Sequence, residues 1–194
     1  MFNGIVYNKG FIKSFIKKKN SLIIEIITDL TFTKKDIGTS INCNGVCLTL
    51  TKIKKKSLFF YISPETLKKT NYKNIKINDH INLEKSLYYG QNISGHYTQG
   101  HIDTIGNVKA ISIIDNSWLI KFSIPVKFKK FLIYKGSINI NGVSLTISKI
   151  NKTGFEITVI PHTLNLTNLM NLKKNNIVNI EFDIFSKYII DLNK

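Results

Sequence analysis

Short apolar runs recur along the chain, and most have the alternation or the β-branched and aromatic content of strands. Asn, Gly, Lys and Pro interrupt them. The clearest runs are SLIIEIITDL, SLFFYISPET, HINLEKS, NSWLIKFSI, GFEITVIPHT and NIVNIEFDI. Many short strands at this spacing predict a mainly β protein built around a small closed sheet or barrel.

Two regions have helical signals. One is TKKDIG in the first half and PVKFKKFLI in the second, where the segment begins at Pro125, has apolar residues three and four apart, and ends at Gly136. The other is the C-terminal tail, Phe185–Asn193. These patterns predict short helices beside the strands, one of them at the C-terminus.

One phrase is written twice. Ser40–Ile53 reads SINCNGVCLTLTKI, and Ser137–Ile150 repeats it with ten identities in fourteen positions, at an offset of 97 residues. The same offset aligns Pro64–Leu67 with Pro161–Leu164. A Lys, Ile and Asn bias can produce scattered matches, but it cannot keep Pro, Gly and Thr in register. The chain is therefore a tandem duplication.

Extended towards the N-terminus without a gap, this alignment pairs Gly4–Val6 with His101–Asp103. The period is about that of one small domain. We therefore predict two copies of one fold at residues 1–97 and 98–185, followed by a short helical tail at residues 186–194.

The repeated phrase has a defined local geometry. The parity of its apolar positions changes at Asn44-Gly45 and at the matching dipeptide of the second copy. Such a change predicts a tight turn or bulge in which Gly supplies a positive φ. Cys47 and Thr49 then face outwards, as do Ser144 and Thr146. Small polar side chains on one face suit a ligand surface, although ordinary outward strand positions have the same composition.

The charge of the chain is strongly basic, with a formal net charge of +16. All 28 basic residues are Lys, and Arg is the preferred side chain for reading bases and phosphates. The aromatic residues lie mostly in apolar runs rather than on exposed basic strands, which argues against an RNA-binding barrel. We interpret the abundance of Lys, Ile and Asn as compositional bias and predict no specific nucleic-acid partner.

The location of the protein is predicted from what the chain does not contain. It has no apolar run of 18 residues, and MFNGIVYNKG is too polar for a signal peptide. Two Cys in such a chain are expected to be reduced thiols. We therefore predict a cytoplasmic protein without a membrane segment.

A metal site is the first chemical alternative. Cys43 and Cys47, like His96 and His101, have finger-like spacing, but 48 residues separate the two pairs and the second copy lacks both Cys. We predict no metal. His96 is expected to be a hydrogen-bonded structural residue beside a Gly-rich turn.

Several segments together resemble the α chain of riboflavin synthase, a two-barrel lumazine-binding family. They are MFNGIV, SINCNGVCLTL, SPETL, SGHYTQGHIDTIG, YKGSINING-VSLTI and IPHTLNLTNL, and they cover nearly the whole chain in order. The resemblance implies two tandem Greek-key barrels of six strands and a C-terminal helix that gathers three chains. It also implies a transferase of riboflavin biosynthesis without a metal or organic cofactor.

The implied reaction is a dismutation. Two molecules of 6,7-dimethyl-8-ribityllumazine exchange a four-carbon unit, which gives riboflavin and 5-amino-6-ribitylamino-uracil. The resemblance implies a homotrimer whose active sites lie between subunits, and it names lumazine synthase as a candidate partner. The alternative is a non-catalytic lumazine- or flavin-binding protein on the same scaffold.

The resemblance also assigns residues. Implied ligand residues of the first half are Phe2, Gly4, Ile5, Val6, Cys47, Leu48, Thr49, Tyr61, Ile62, Ser63, Pro64, Glu65 and Thr66. Those of the second half are Gly100, His101, Ile102, Lys135, Ser144, Leu145, Thr146, Thr158, Val159, Ile160, Pro161, His162 and Thr163. Implied catalytic residues are Ser40, Cys47, His101, Ser144 and Asp183.

The implied roles follow the chemistry of the reaction. His101 would carry the proton of a lumazine 7-methyl group. Ser40, Cys47 or water would either add to C7 of the other molecule or stabilise the anion. Asp183 would orient a partner, and Phe2 would stack on a ring.

The duplication fits such a reaction, because two like molecules need two similar sites held together. Donor and acceptor sites must differ, and Cys47 against Ser144 and Glu65 against His162 are where we expect the difference. The tail SKYIIDLNK is shorter than in the family, and Ile184 replaces a common Pro.

Overall fold

The chain forms two closed antiparallel barrels in the computed structural model, which describes residues 1–192. The first barrel contains β1 Asn8–Lys17, β2 Leu22–Thr28, β3 Ser40–Cys43, β4 Val46–Lys54, β5 Ser57–Ile62 and β6 His80–Lys85. The second contains β7 Thr104–Ile114, β8 Ser117–Ser123, β9 Ser137–Ile140, β10 Val143–Ile150, β11 Gly154–Val159 and β12 Ile177–Phe182. The all-β class with two six-stranded barrels is confirmed.

The two barrels share one Greek-key order. Around the first barrel the strands run β1-β2-β5-β4-β3-β6, and around the second they run β7-β8-β11-β10-β9-β12. Alternation fills the interior, since Leu22, Ile24 and Ile26 of β2 are buried and the residues between them are half-buried. Closure leaves neither sheet with a free edge.

The helices are short. They are α1 Pro64–Lys69, α2 Pro161–Leu166 and α3 Ile184–Leu192. The C-terminal helix is confirmed, although residue 193 of its predicted range lies outside the described residues. The two segments predicted as helices before the repeated phrase are 3₁₀ helices of three and six residues, Lys34–Asp36 and Val126–Phe131.

Helices α1 and α2 were not predicted from the sequence. The predicted strands before them included the residues SPET and IPHT, where the helices begin. Ser63 is the N-cap of α1 and accepts a 3.2 Å hydrogen bond from Thr66 N, while Pro64 occupies the first turn. Ile160 holds the cap position of α2 and offers no such acceptor.

Each barrel is completed by the short segment that precedes the other barrel in the chain. We call residues 2–6 strap 1 and residues 98–102 strap 2. Val6 of strap 1 is buried in the core of the second barrel, and Ile102 of strap 2 is buried in the core of the first. The straps are joined to each other by a two-bond antiparallel bridge between Phe2 and Thr98. The straps are thus exchanged between the barrels.

This bridge corrects the ungapped alignment of the N-termini. Phe2 pairs with Thr98, and the β-bulge after Ile12 in β1 matches the bulge after Val108 in β7, both at an offset of 96. The repeat changes to an offset of 97 only after the second strand. Gly4 is therefore the counterpart of Gly100, and the predicted pairing with His101 is wrong by one residue.

Buried asparagines join the two barrels. The ones with hydrogen bonds between the barrels are Asn44, Asn82, Asn141, Asn168 and Asn179. Asn82 Nδ2 donates to Asn141 O at 2.9 Å, and Asn179 Nδ2 donates to Asn44 O at 2.9 Å, so the two bonds are related by the duplication. The predicted compositional bias therefore does not fully explain the abundance of Asn, because these side chains form hydrogen bonds with buried backbone groups.

Candidate active site

The outward faces of β4 and β10 carry the centre of each candidate site. Val46, Leu48 and Leu50 are buried, whereas Cys47 is half-buried and Thr49 is exposed, as the parity change predicts. Ser40 lies opposite Thr49 in the β3–β4 register, so their side chains share this face. Ser144 is half-buried and Thr146 is exposed in the same way on β10.

A strap glycine lies directly on each of these faces. Gly100 O accepts a 2.8 Å hydrogen bond from Cys47 N, and Gly4 O accepts a 2.8 Å bond from Ser144 N. Both glycines have positive φ, and a Cβ on either one would come within 3 Å of the strand it covers. Only Gly allows this approach.

The exchange regroups the predicted ligand segments. Gly100–Ile102 lies beside Cys47–Thr49, and Gly4–Val6 lies beside Ser144–Thr146. We call these two places the Cys47 site and the Ser144 site. The sequence interpretation had assigned each strap to its own half of the chain.

Two carboxylates fix the straps. Glu84 on β6 accepts hydrogen bonds from Asn3 N at 2.7 Å and Gly4 N at 3.1 Å, and Glu181 on β12 accepts from Gln99 N at 2.8 Å and Gly100 N at 2.9 Å. Burial raises the pKa of Glu84 to about 7, against these backbone bonds and a bond from the Asn42 side chain. Burial likewise raises the pKa of Glu181.

The Ser144 site contains a histidine that the sequence interpretation treated as structural. His96 is buried, and its Nδ1 lies 2.7 Å from Ser144 Oγ. Burial lowers the pKa of His96, and the negative charge of Asp183 opposes that shift. Its Nε2 is buried and has no hydrogen-bond partner within residues 1–192. Ser144 and His96 therefore form a hydrogen-bonded pair on which the charge of Asp183 acts.

The Cys47 site is chemically different. His101 follows Gly100 on strap 2 and is exposed. Within the described residues Cys47 Sγ makes no hydrogen bond of the kind that joins Ser144 to His96. The five predicted catalytic residues thus divide into Ser40, Cys47 and His101 on one side and Ser144 and Asp183 on the other.

The other predicted ligand residues differ in what they can offer. Ile62 and Val159 are fully buried in the cores, so only their backbone groups could meet a ligand, whereas Tyr61 and Thr158 beside them are exposed. Exposed Glu65 forms an ion pair with Lys69, and His162 on α2 is also exposed. Lys135 is exposed and has a left-handed backbone.

The position of Phe2 does not fit the predicted role of stacking on a ligand ring. Its side chain is 0% exposed, and its backbone forms the bridge to Thr98. The ring packs inside the protein, where no ligand ring can reach it without a rearrangement of strap 1.

The two cysteines considered for a metal site face opposite sides of the first barrel wall. Cys43 is buried in the first core and burial raises the pKa of its thiol, whereas Cys47 faces outwards. Residues 1–192 contain no group of three or more His, Cys, Asp and Glu placed to hold a metal ion. None of the helices in the same range has the length and apolar character needed to span a bilayer.

Comparison with known proteins agrees with the duplicated architecture. The Lumazine binding domain family matches residues 3–86 and again residues 99–183. The crystal structure of LumP complexed with 6,7-dimethyl-8-(1'-D-ribityl) lumazine superposes with a TM-score of 0.82 at 27% identity, over 93% of this chain and 98% of LumP. Both halves are thus lumazine-binding-domain barrels.

Similar proteins of known function define the enzyme family within the lumazine-binding proteins. Riboflavin synthase of Photobacterium leiognathi is 36% identical over 100% of this chain and 89% of the relative, and that of Escherichia coli K12 is 34% identical over 98% and 91%. The chain belongs to the riboflavin synthase family of enzymes.

Proposed function

We propose that the protein catalyses the dismutation of two 6,7-dimethyl-8-ribityllumazine molecules into riboflavin and 5-amino-6-ribitylamino-uracil. The observation that carries this proposal is the pair of matching strap-and-strand sites, one at Cys47 and one at Ser144. A reaction between two like molecules gains most from two like sites that hold both reactants in orientation. The two products together contain all the atoms of the two substrates, so the transfer needs no oxidant.

The Ser144 site supplies a nucleophile with a base. His96 accepts the proton of the Ser144 hydroxyl as Oγ adds to C7 of one lumazine, and it returns that proton when the bond breaks. A lowered pKa keeps His96 neutral near pH 7, which a base requires. Asp183 stabilises the imidazolium that forms.

The Cys47 site supplies the other half of the reaction. His101 is exposed on strap 2, where it can take a proton from the 7-methyl group of the second lumazine. Backbone groups of the straps and of β4 and β10 bind the edges of the heterocycles, while Thr49, Thr146 and Ser63 suit the ribityl hydroxyls. The domain division at residues 97 and 98 and the cytoplasmic location stay predictions.

We also propose that the active unit is a trimer. Helix α3 leaves Phe185 60%, Tyr188 62% and Leu192 86% exposed, which is a large apolar surface for nine residues. Light scattering of the full chain should give three copies, and Tyr188→Ser with Phe185→Ser should shift it to the monomer. Tyr89→Ser, in the linker of residues 86–97 between β6 and strap 2, is the control because Tyr89 is exposed. Co-elution with purified lumazine synthase tests the further partner.

One assay tests the reaction. Purified protein is mixed with 6,7-dimethyl-8-ribityllumazine alone, and riboflavin is followed by absorbance and fluorescence. One riboflavin should form for every two lumazines consumed. Tight binding without riboflavin would instead identify a lumazine-binding protein without turnover, and the absence of both would refute the proposal.

A further inference from the structure

Each strap is held by one barrel and used by the other. The amide of Gly4 is bonded to Glu84 of the first barrel, while its carbonyl is bonded to Ser144 of the second. The amide of Gly100 is bonded to Glu181 of the second barrel, while its carbonyl is bonded to Cys47 of the first. One residue in each strap therefore connects a carboxylate to the site across the barrel interface.

We infer that Glu84 and Glu181 are positioning residues, each of which holds in place the strap that completes the candidate site of the opposite barrel. Glu84 serves the Ser144 site and Glu181 serves the Cys47 site. This inference deepens the proposed function and rests on the two sites described for it. It adds that neither barrel positions its own site alone.

The chemistry of the contact favours a carboxylate. Each one accepts hydrogen bonds from the amides of two consecutive strap residues, Asn3 and Gly4 or Gln99 and Gly100. In each case both carboxyl oxygens face strap amides, since Glu181 Oε1 and Oε2 accept from Gln99 N and Gly100 N, and Glu84 Oε1 and Oε2 both accept from Gly4 N. A Gln has one acceptor oxygen, and its NH₂ group would face a second N–H donor, so its hold on the strap is weaker.

Open space on the side of strap 1 away from Ser144 makes the bonds to Glu84 important for holding the strap. A cavity of about 410 Å³ lies against that side, lined by Asn3, Ile5, Tyr7 and Glu84 among others. Packing from that direction is therefore incomplete. When the carboxylate bonds weaken, strap 1 can move into the cavity and away from Ser144.

Thiol labelling can test the crossed assignment without any turnover. Cys43 is fully buried and Cys47 is half-buried under Gly100, so labelling by 5,5'-dithiobis(2-nitrobenzoate) reports the Cys47 site. We expect Glu181→Gln to speed the labelling of Cys47 about tenfold, because local opening sets the rate at a covered site. Glu84→Gln should leave that rate unchanged.

A double variant that moves the reactive thiol tests the Ser144 site. In Cys47→Ser with Ser144→Cys, the thiol lies under Gly4 instead, and here Glu84→Gln should speed labelling while Glu181→Gln should not. Glu156→Gln is the matched control, because Glu156 is a buried carboxylate of the second barrel that contacts Lys121 and no strap. Should a Gln variant fail to fold, the Asp variant, which keeps both carboxyl oxygens but withdraws them from the strap amides, is labelled in its place.

The pattern decides the inference. Acceleration in the crossed pairs supports it. Equal acceleration of both thiols by either variant would mean general destabilisation, and acceleration within the same barrel would mean the reverse assignment; both overturn it. These outcomes do not depend on riboflavin formation, so a failure of the proposed reaction and a failure of this inference are distinguishable.

Discussion

Gly100 covers Cys47 so closely that a side chain cannot fit between strap 2 and β4. The Gly100 carbonyl accepts a 2.8 Å bond from Cys47 N, and a Cβ on Gly100 would lie 2.6 Å from that nitrogen. The glycine also has φ +77°, which disfavours any L side chain. A steric clash and an unfavourable backbone conformation therefore both disfavour any residue other than Gly at position 100.

Gly100→Ala should lower the free energy of unfolding by about 2 kcal/mol or more and weaken lumazine binding at the Cys47 site. Gly90→Ala is the matched control, because Gly90 has φ +82° but nothing within 4 Å of its Cβ position. The difference between the two variants in urea unfolding measures the clash. Equal costs would show that strap 2 can move aside freely.

His96 and Ser144 should act as a unit. His96→Gln and Ser144→Ala should each reduce turnover about 100-fold, because each removes one member of a base–nucleophile pair. The double variant should be little slower than either single variant. Steady-state riboflavin formation measures all three, with His80→Gln, an exposed histidine of β6, as the control. Multiplicative losses would mean that the two residues act separately.

Glu84 should give the protein a stability that falls with rising pH. Burial raises its pKa from 4.5 to about 7, so the folded state holds the proton more tightly than the unfolded chain does. This contribution, about 3 kcal/mol, is present below the unfolded pKa and is lost as the pH rises through about 7. Urea unfolding of the wild type and of Glu84→Gln, at about pH 4.5 and about pH 8, measures it.

The comparison between those two proteins removes other titrations from the result. His96, whose pKa is lowered, contributes a slope of opposite sign in both proteins and cancels. Burial would raise the pKa of Glu25, but hydrogen bonds from Ser57, Lys13 and Ser14 outweigh it and lower the value to about 2. Glu25→Gln should therefore leave the slope in this window unchanged. Equal slopes in the wild type and in Glu84→Gln would mean that Glu84 is not the source.

Asn82→Ala should destabilise the joined barrels. The side chain donates to Asn141 O and accepts from Asn168 N at 2.7 Å, so its removal leaves both buried backbone groups without this partner. We expect a loss of about 3 kcal/mol in the free energy of unfolding. Asn20→Ala, at an exposed bend, should change it by less than about 0.5 kcal/mol. Denaturant unfolding at one pH compares them, and equal losses would argue against a structural role for the network.

The sequence pattern could predict the strands and their faces because both are local properties. The parity change at Asn44-Gly45 placed Cys47 outwards and Leu48 inwards, and the duplication then predicted the same for Ser144. The cap of α1 was also local, since Ser63 followed by Pro64 is a helix-start signal that the apolar run concealed.

The straps could not be predicted because their partners are distant in the chain. One extra residue after the second strand of the later copy shifts the alignment, so Gly4 was compared with His101 rather than with Gly100. Nothing local to Phe2 indicates that it is buried against the other half of the chain. His96 looked structural because its partner, Ser144, is 48 residues away.

The linker before strap 2 has a further consequence. A chain of two repeats has a single junction, and the residues that cross it, including Gly95 and His96, come to lie over Ser144. The corresponding segment after the second copy is α3, which packs instead on Val126–Phe131. Joining two similar units in one chain therefore makes their pockets unequal, independently of the difference between Cys47 and Ser144.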